Sequence, residues 1–466
     1  METTKLTCKR QLTATHRAMS THHDTTRPPA STGGWLPLDL QQSLMSHVEQ
    51  RQDRLIEITR ELIRLDSQNT PPFGAERACQ TWMARQLHAC GLQPDLYDLT
   101  QVGGLREHPL YYPGRDYKNR PNLAARLRGS GGGRSLLLSG HIDTVPRGTQ
   151  DWTRDAFGAE VEDNRIYGRG ANDMKAGIAT NLFIVECVRE LGLLLAGDLV
   201  FESVVDEEFG GSNGTLAGRL RGYNTDAAIL SEPSSLRVCP AQRGGRTAHI
   251  TFRGPGSMLQ SGPCPSGAIP QLTHFLASVE SFARQRARVA RHAMYAGHAD
   301  PVPVAITKVF TSPWGFGEPI SVPRTAQVEM YWQLMPGELQ ADVEREFFDW
   351  LRQTVASAPE IYPCMPDVQL PFRWLPGSAT ACTEPVVQEL SACAQRVLGA
   401  APVVAGIEGP CDLFILQDGF HIPAVIWGAR GGNTHAADEY VEIDSLVQAA
   451  QTLLLFVAQW CASVPA

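Results

Sequence analysis

Several features are scarce in this chain, and each absence removes a class of function. None of the eleven cysteines forms a CxxC pair, so neither a zinc ribbon nor the clustered framework of a small secreted protein is expected. The thiols are expected to be reduced, mostly core filler in a cytoplasmic protein. No apolar run approaches the roughly 20 residues of a membrane span, and the N-terminus lacks the apolar stretch of a secretory signal. Basic residues are not in surplus: 41 Lys and Arg stand against 49 Asp and Glu, a formal charge of −8. A chain so charged has no field to recruit nucleic acid or an anionic membrane, so neither is expected as a partner.

What is present suits a soluble enzyme. Hydrophobic residues make up 43% and charged ones 19% of the 466 positions. That length exceeds what a single core serves and predicts more than one domain. Residues 1–40 are expected to be a flexible tail ending in Pro28-Pro29 and Gly33-Gly34. Leu44, Val48, Leu55, Ile58, Leu62 and Leu65 recur near the helical period and predict a helix. Strands at Ser135–Ser139, Asp198–Val205 and Ala227–Leu230 alternate with helices, which predicts an α/β sheet. From Thr247 to Phe372 the order becomes β-α-β-β-α-β, the ferredoxin-like arrangement. After Pro376 the α/β style returns. The expected fold is therefore an α/β catalytic domain with a mixed sheet, in two parts at 41–240 and 376–466. An α+β lid is expected as the insertion, 241–375.

Acids and histidines sit where such strands end. In Leu136–Asp143 an apolar strand delivers His141 and Asp143, and open α/β sheets place their sites at that edge. Residues two apart point the same way, so Asp143 is expected to accept a hydrogen bond from His141 and fix its tautomer. Asp173 follows Gly168-Arg169-Gly170 and precedes a helix, where a bland reading makes it a helix cap. Asp206-Glu207-Glu208 would ordinarily be a solvated turn. The apolar strand before it and Phe209-Gly210-Gly211 after it instead suggest a confined site, where adjacent charges need a cation. Glu232 ends another buried strand, and His435 lies in a Gly-rich loop.

Together these form a nitrogen and oxygen donor set suited to zinc, with Co2+ or Mn2+ possible. Two ions about 3.5–4 Å apart require one shared carboxylate and two terminal ligands each. That count assigns Asp173 as the bridge, His141 and Glu232 to one ion, and Glu208 and His435 to the other. Glu207 is left as general base and acid for a metal-bridging water attacking an amide.

The same stretches closely resemble the zinc aminoacylase and carboxypeptidase family, which includes acetylornithine deacetylase, succinyl-diaminopimelate desuccinylase and glutamate carboxypeptidase. The matching pieces are SGHIDTVP at Ser139–Pro146, GRGANDMKAG at Gly168–Gly177, DEEFGG at Asp206–Gly211, SEP at Ser231–Pro233 and THAADEYV at Thr434–Val441. GPCD at Gly409–Asp412 agrees more weakly. The resemblance implies the metal roles above, a ferredoxin-like lid and a possible homodimer through it. It also implies an N-acyl amino acid or dipeptide-like amide as substrate.

The lid departs from the family's pattern. Met258 stands where a histidine is usual, Gln333 where an arginine is usual, and an asparagine is missing near Ile320-Ser321. Arg243, Arg246 and Arg253 are candidate replacements for substrate contact, with Gly409 and Asn433 as further candidates. The altered lid also supports a second reading, a metal-binding relative that holds a ligand without hydrolysing it.

Overall fold

The computed structural model describes residues 34–255, 264–289, 291–311 and 322–462. Most of the expected tail, together with Met258 and Ile320-Ser321, lies outside them. The first helix, Leu38–Gln50, begins just inside the expected tail. It breaks at Arg51 before a second helix, Gln52–Arg64, so one expected helix is two.

A nine-stranded mixed sheet forms the larger unit. Its central strands Leu199–Ser203, Leu136–Ser139, Ala227–Leu230 and Ala424–Ile426 run parallel, and antiparallel strands extend both flanks. The strand period of two explains how three consecutive leucines are all buried. Leu136 and Leu138 pack into the core beneath helices Ala176–Glu190 and Ile443–Trp460, whereas Leu137 faces a second core with Leu413 and Leu416. Fully burying one such side chain stabilises by about 1.5–3 kcal/mol.

The chain leaves this sheet after Gln242 and rejoins it at Ser378. Between them stands a four-stranded antiparallel sheet in the order Val304–Phe310, Thr325–Leu334, Gly244–Arg253, Asp367–Gln369. Helices Ala268–Arg286 and Gln340–Ala356 cover one face, which is the expected ferredoxin-like arrangement. Alternate residues Ala248, Ile250 and Phe252 meet Val328, Met330 and Trp332 in a separate core under Phe282, Phe347 and Trp350. Trp332 stacks on Phe347 with ring centroids 4.9 Å apart.

No helix among the described residues is long and apolar enough to cross a membrane. All ten cysteines among the described residues, Cys79 to Cys461, are free.

Candidate metal centre

His141 and the candidate acids each follow a strand or precede a helix at one edge of the large sheet, whereas His435 lies in the loop between strands Gly431–Gly432 and Tyr440–Glu442 of a separate four-stranded sheet. His141 comes two residues after Leu136–Ser139, and Glu207 and Glu208 follow Leu199–Ser203. Glu232 follows Ala227–Leu230, and Asp173 precedes helix Ala176–Glu190. Gly177, in the first turn of that helix, lets it pass against the Glu232 strand end. A Cβ at Gly177 would lie 1.9 Å from the carbonyl oxygen of Ser231.

The structure brings all five expected ligands together. His141 Nε2 lies 3.1 Å from Asp173 Oδ1 and 3.5 Å from Glu232 Oε1. His435 Nε2 lies 3.3 Å from Asp173 Oδ2 and 2.9 Å from Glu208 Oε2. The two oxygens of Asp173 therefore face different histidines, the geometry a shared carboxylate requires. Single donor atoms of His141, Asp173 and Glu208 all fall within 4.8 Å of one another. Two imidazoles and three carboxylates at such separations fit divalent zinc, cobalt or manganese.

The expected hydrogen bond from His141 to the Asp143 carboxylate is not formed. His141 Nδ1 donates instead to the backbone carbonyl of Asp143 at 2.8 Å, with the carboxylate oxygen at 3.7 Å. A proton on Nδ1 is still fixed, because a carbonyl only accepts, and Nε2 is the nitrogen left to face Asp173 and any ion held there. The Asp143 carboxylate turns to the acidic turn, accepting the Glu207 and Glu208 backbone N–H groups and the Asn69 amide. It positions Glu207 and Glu208 rather than the histidine.

The three consecutive acids have three fates. Asp206, at φ 67°, turns away into a buried cluster, where Tyr117 donates at 2.6 Å and Arg115 lies at 3.1 Å. Glu208 accepts from Val145 N through Oε1 and aims Oε2 at His435. Glu207 points into the cavity, its Oε2 3.9 Å from His141 Nε2.

Burial and crowding shape the charges. Burial first, then Asp412, Glu232 and Glu208, push Glu207 well above the ordinary carboxyl range against the opposing pull of His141. Burial likewise raises Glu208 and Glu232 to about 7. Burial also favours neutral Asp173, but hydrogen bonds from His141 and His435 overcome it and hold that carboxyl low. His435 is pushed up to about 10: burial opposes the charge, and Asp173 and Glu208 outweigh it. Carboxylates this close tolerate one another through cations or shared protons.

Two acids that support the site escaped sequence reasoning. Glu439 accepts from Arg169 Nη1 at 2.6 Å and from the backbone N–H groups of Gly170, Asn172 and Asp173. It thereby holds the turn that presents Asp173, and Asn172 in turn donates to Thr434 beside His435. Asp412 lies buried near Glu207, accepts from Thr215, and is raised to about 6 by burial. The signals, an acid at the end of THAADE and one in GPCD, carry no pattern that distinguishes them from surface charges.

A cavity of about 480 Å³ opens over the cluster. Its lining includes Glu207, Ser212, Pro233, Leu375, Ile407, Glu408, Gly409 and Cys411. Gly409, a candidate substrate contact, lines this cavity. Asn433 is not in the lining; its amide donates to the Asp438 carbonyl. None of the three candidate arginines lines the cavity either. Arg243 bonds Gln333 at 2.5 Å, Arg246 bonds Glu344 and the Phe372 carbonyl, and Arg253 pairs with exposed Asp367.

Comparison with known proteins bears on this geometry. The family described as Peptidase family M20/M25/M40 matches residues 137–459. N-formyl-4-amino-5-aminomethyl-2-methylpyrimidine deformylase of Bacillus subtilis (strain 168) is 26% identical over 445 residues, covering 90% of this chain and 97% of the relative. Succinyl-diaminopimelate desuccinylase of Roseobacter denitrificans is 27% identical and covers 70% of this chain and 83% of its own. Human carnosine dipeptidase 1 shares the fold with a TM-score of 0.69 at 15% identity, covering 91% of this chain and all of that one.

Proposed function

Because the chain belongs to peptidase family M20/M25/M40, a family of hydrolases, we propose that it cleaves the amide of a small N-acyl amine, using two divalent cations and Glu207. The observation that carries this reading is Asp173, whose two oxygens face His141 and His435 separately. His141, Asp173, Glu208, Glu232 and His435 would hold the cations, zinc foremost, which would supply Lewis acidity to acidify water and stabilise oxyanion charge.

The chain's own groups do the remaining work. Glu207 Oε2 takes the proton of the attacking water as its oxygen bonds the amide carbon. It then returns that proton to the amine nitrogen as the C–N bond breaks, releasing acid and amine. A carboxyl that faces the cavity and lies outside the proposed ligand set is placed for this relay. Asp143 keeps Glu207 in place through its backbone N–H. The similarity to a deformylase over 90% of the chain favours a short acyl group. The reading includes a cytoplasmic location and a homodimer through the inserted unit, whose edge strand leaves Val309 and Phe310 more than half exposed.

The test is turnover of N-formyl and N-acetyl amines by the metal-loaded protein beside Glu207→Gln. The variant is expected to lose about 10²- to 10⁴-fold in kcat while retaining both metals. Turnover that survives the substitution refutes the base. Silence across the panel with two metals bound favours a ligand-binding relative.

A further inference from the structure

The cavity over the acidic cluster has no lysine or arginine among its described lining residues. The cations nearby are engaged elsewhere. Arg237 makes a two-pronged bond to Glu408, with both contacts at 2.8 Å. Arg373 donates to the carbonyls of Gly211 and Leu110. Arg243 is buried behind the wall, its guanidinium 4.9 Å from the Tyr295 ring centre and bonded to Gln333 Oε1.

Two hydrogen bonds keep that wall between Arg243 and the cavity. Gln333 Nε2 donates to the carbonyl of Glu408, and the Tyr295 hydroxyl donates to the carbonyl of Ile407 at 2.9 Å. Ile407 and Glu408 are themselves lining residues. The amide of Gln333 thus holds Arg243 with its oxygen and the wall with its nitrogen. An arginine at 333 would place a second cation there and could not accept from Arg243.

The charges point the same way. Asp173, Glu207, Glu208 and Glu232 line the cavity, and four carboxylates balance two divalent cations. Glu408 at the rim is matched by Arg237. Among the described residues no positive charge is left over for a substrate carboxylate, and burying one unpaired is costly. Pro233, Leu375, Ile407, Pro410 and Cys411 offer an apolar wall instead.

We propose that the amide this site accepts carries no carboxylate on its amine half, which is neutral and apolar, and that Gln333 determines this by holding Arg243 behind the 407–410 wall. The proposal rests on the amide-hydrolase reading above and narrows it to a substrate class.

The experiment compares N-formylbenzylamine with N-formylphenylglycine, a pair that differs only in the α-carboxylate. Calorimetry on zinc-loaded Glu207→Gln reads binding without turnover, and kcat/KM is measured on the zinc-loaded parent. The neutral amide is expected to bind at least about tenfold tighter and to react at least about tenfold better, since a bidentate carboxylate contact is missing. Gln333→Arg is expected to narrow both ratios severalfold. Equal or tighter binding of the carboxylated amide overturns the proposal, and so does a Gln333→Arg ratio equal to the parent's. Failure of the hydrolase reading shows elsewhere, as turnover that ignores Glu207→Gln, so the calorimetric ratio judges this proposal by itself.

Discussion

Glu207 and Glu208 are chain neighbours whose chemistry is separated by what each oxygen meets. Glu208 is tied at both ends, to Val145 N and to His435, which fits the ligand role proposed for it. Glu207 is held through its backbone by Asp143, which leaves its carboxyl free for the proposed proton transfer. The same crowding makes ion binding proton-coupled. Without ions, His435 is pushed up to about 10 and Glu208 and Glu232 to about 7. These groups must be deprotonated to act as ligands. Loading therefore expels protons, and apparent affinity falls as pH drops through and below 7. Zinc titrations at pH 7 in buffers of different ionisation enthalpy should report release of at least about one proton per protein. Proton uptake, or affinity rising toward acid pH, contradicts the charge assignment.

At the scale of elements, the site depends on how closely the Ala176–Glu190 helix approaches the strand end at Ser231. Gly177→Ala should force the two apart, costing about 1–3 kcal/mol as overpacking does. Because Ser231 precedes Glu232, the variant should both melt earlier and hold less metal. Gly103→Ala, where an added Cβ meets nothing within 4 Å, should do neither. A Gly177→Ala protein that matches the parent in melting and metal content would show that this contact does not position Glu232.

The elements that position the site were the most legible in the sequence. Leu136–Ser139 and Ala227–Leu230 are short apolar runs ended by polar or small residues, and they form as expected. Val238–Gln242 and Pro121–Leu127 were missed. Each carries a proline, and Asn122 and Arg126 interrupt the apolar pattern of the second, although both strands pair in the sheet. Four of the five proposed ligands were legible because each ends or precedes such an element, whereas His435, in a loop, was singled out through the THAADEYV resemblance. The His141–Asp143 bond was misjudged because spacing gives side-chain direction without saying whether the backbone carbonyl lies nearer. The Glu439 clamp and the Gln333 bridge join residues far apart in sequence, and local patterns carry no record of such contacts.

At the scale of the molecule, the edge of the large sheet presents His141, Asp173, Glu208 and Glu232, and the inserted unit reaches the cavity wall through Gln333 and Tyr295. On the proposed reading, catalytic groups and selectivity are placed on different parts of one chain, and the second can change while the first is kept. All of this depends on two cations sharing Asp173. Anomalous diffraction from zinc-loaded crystals tests that directly. Two peaks about 3.5–4 Å apart are predicted, one among His141, Asp173 and Glu232 and the other among Asp173, Glu208 and His435. A single peak, or a pair that leaves Asp173 unshared, would contradict the account.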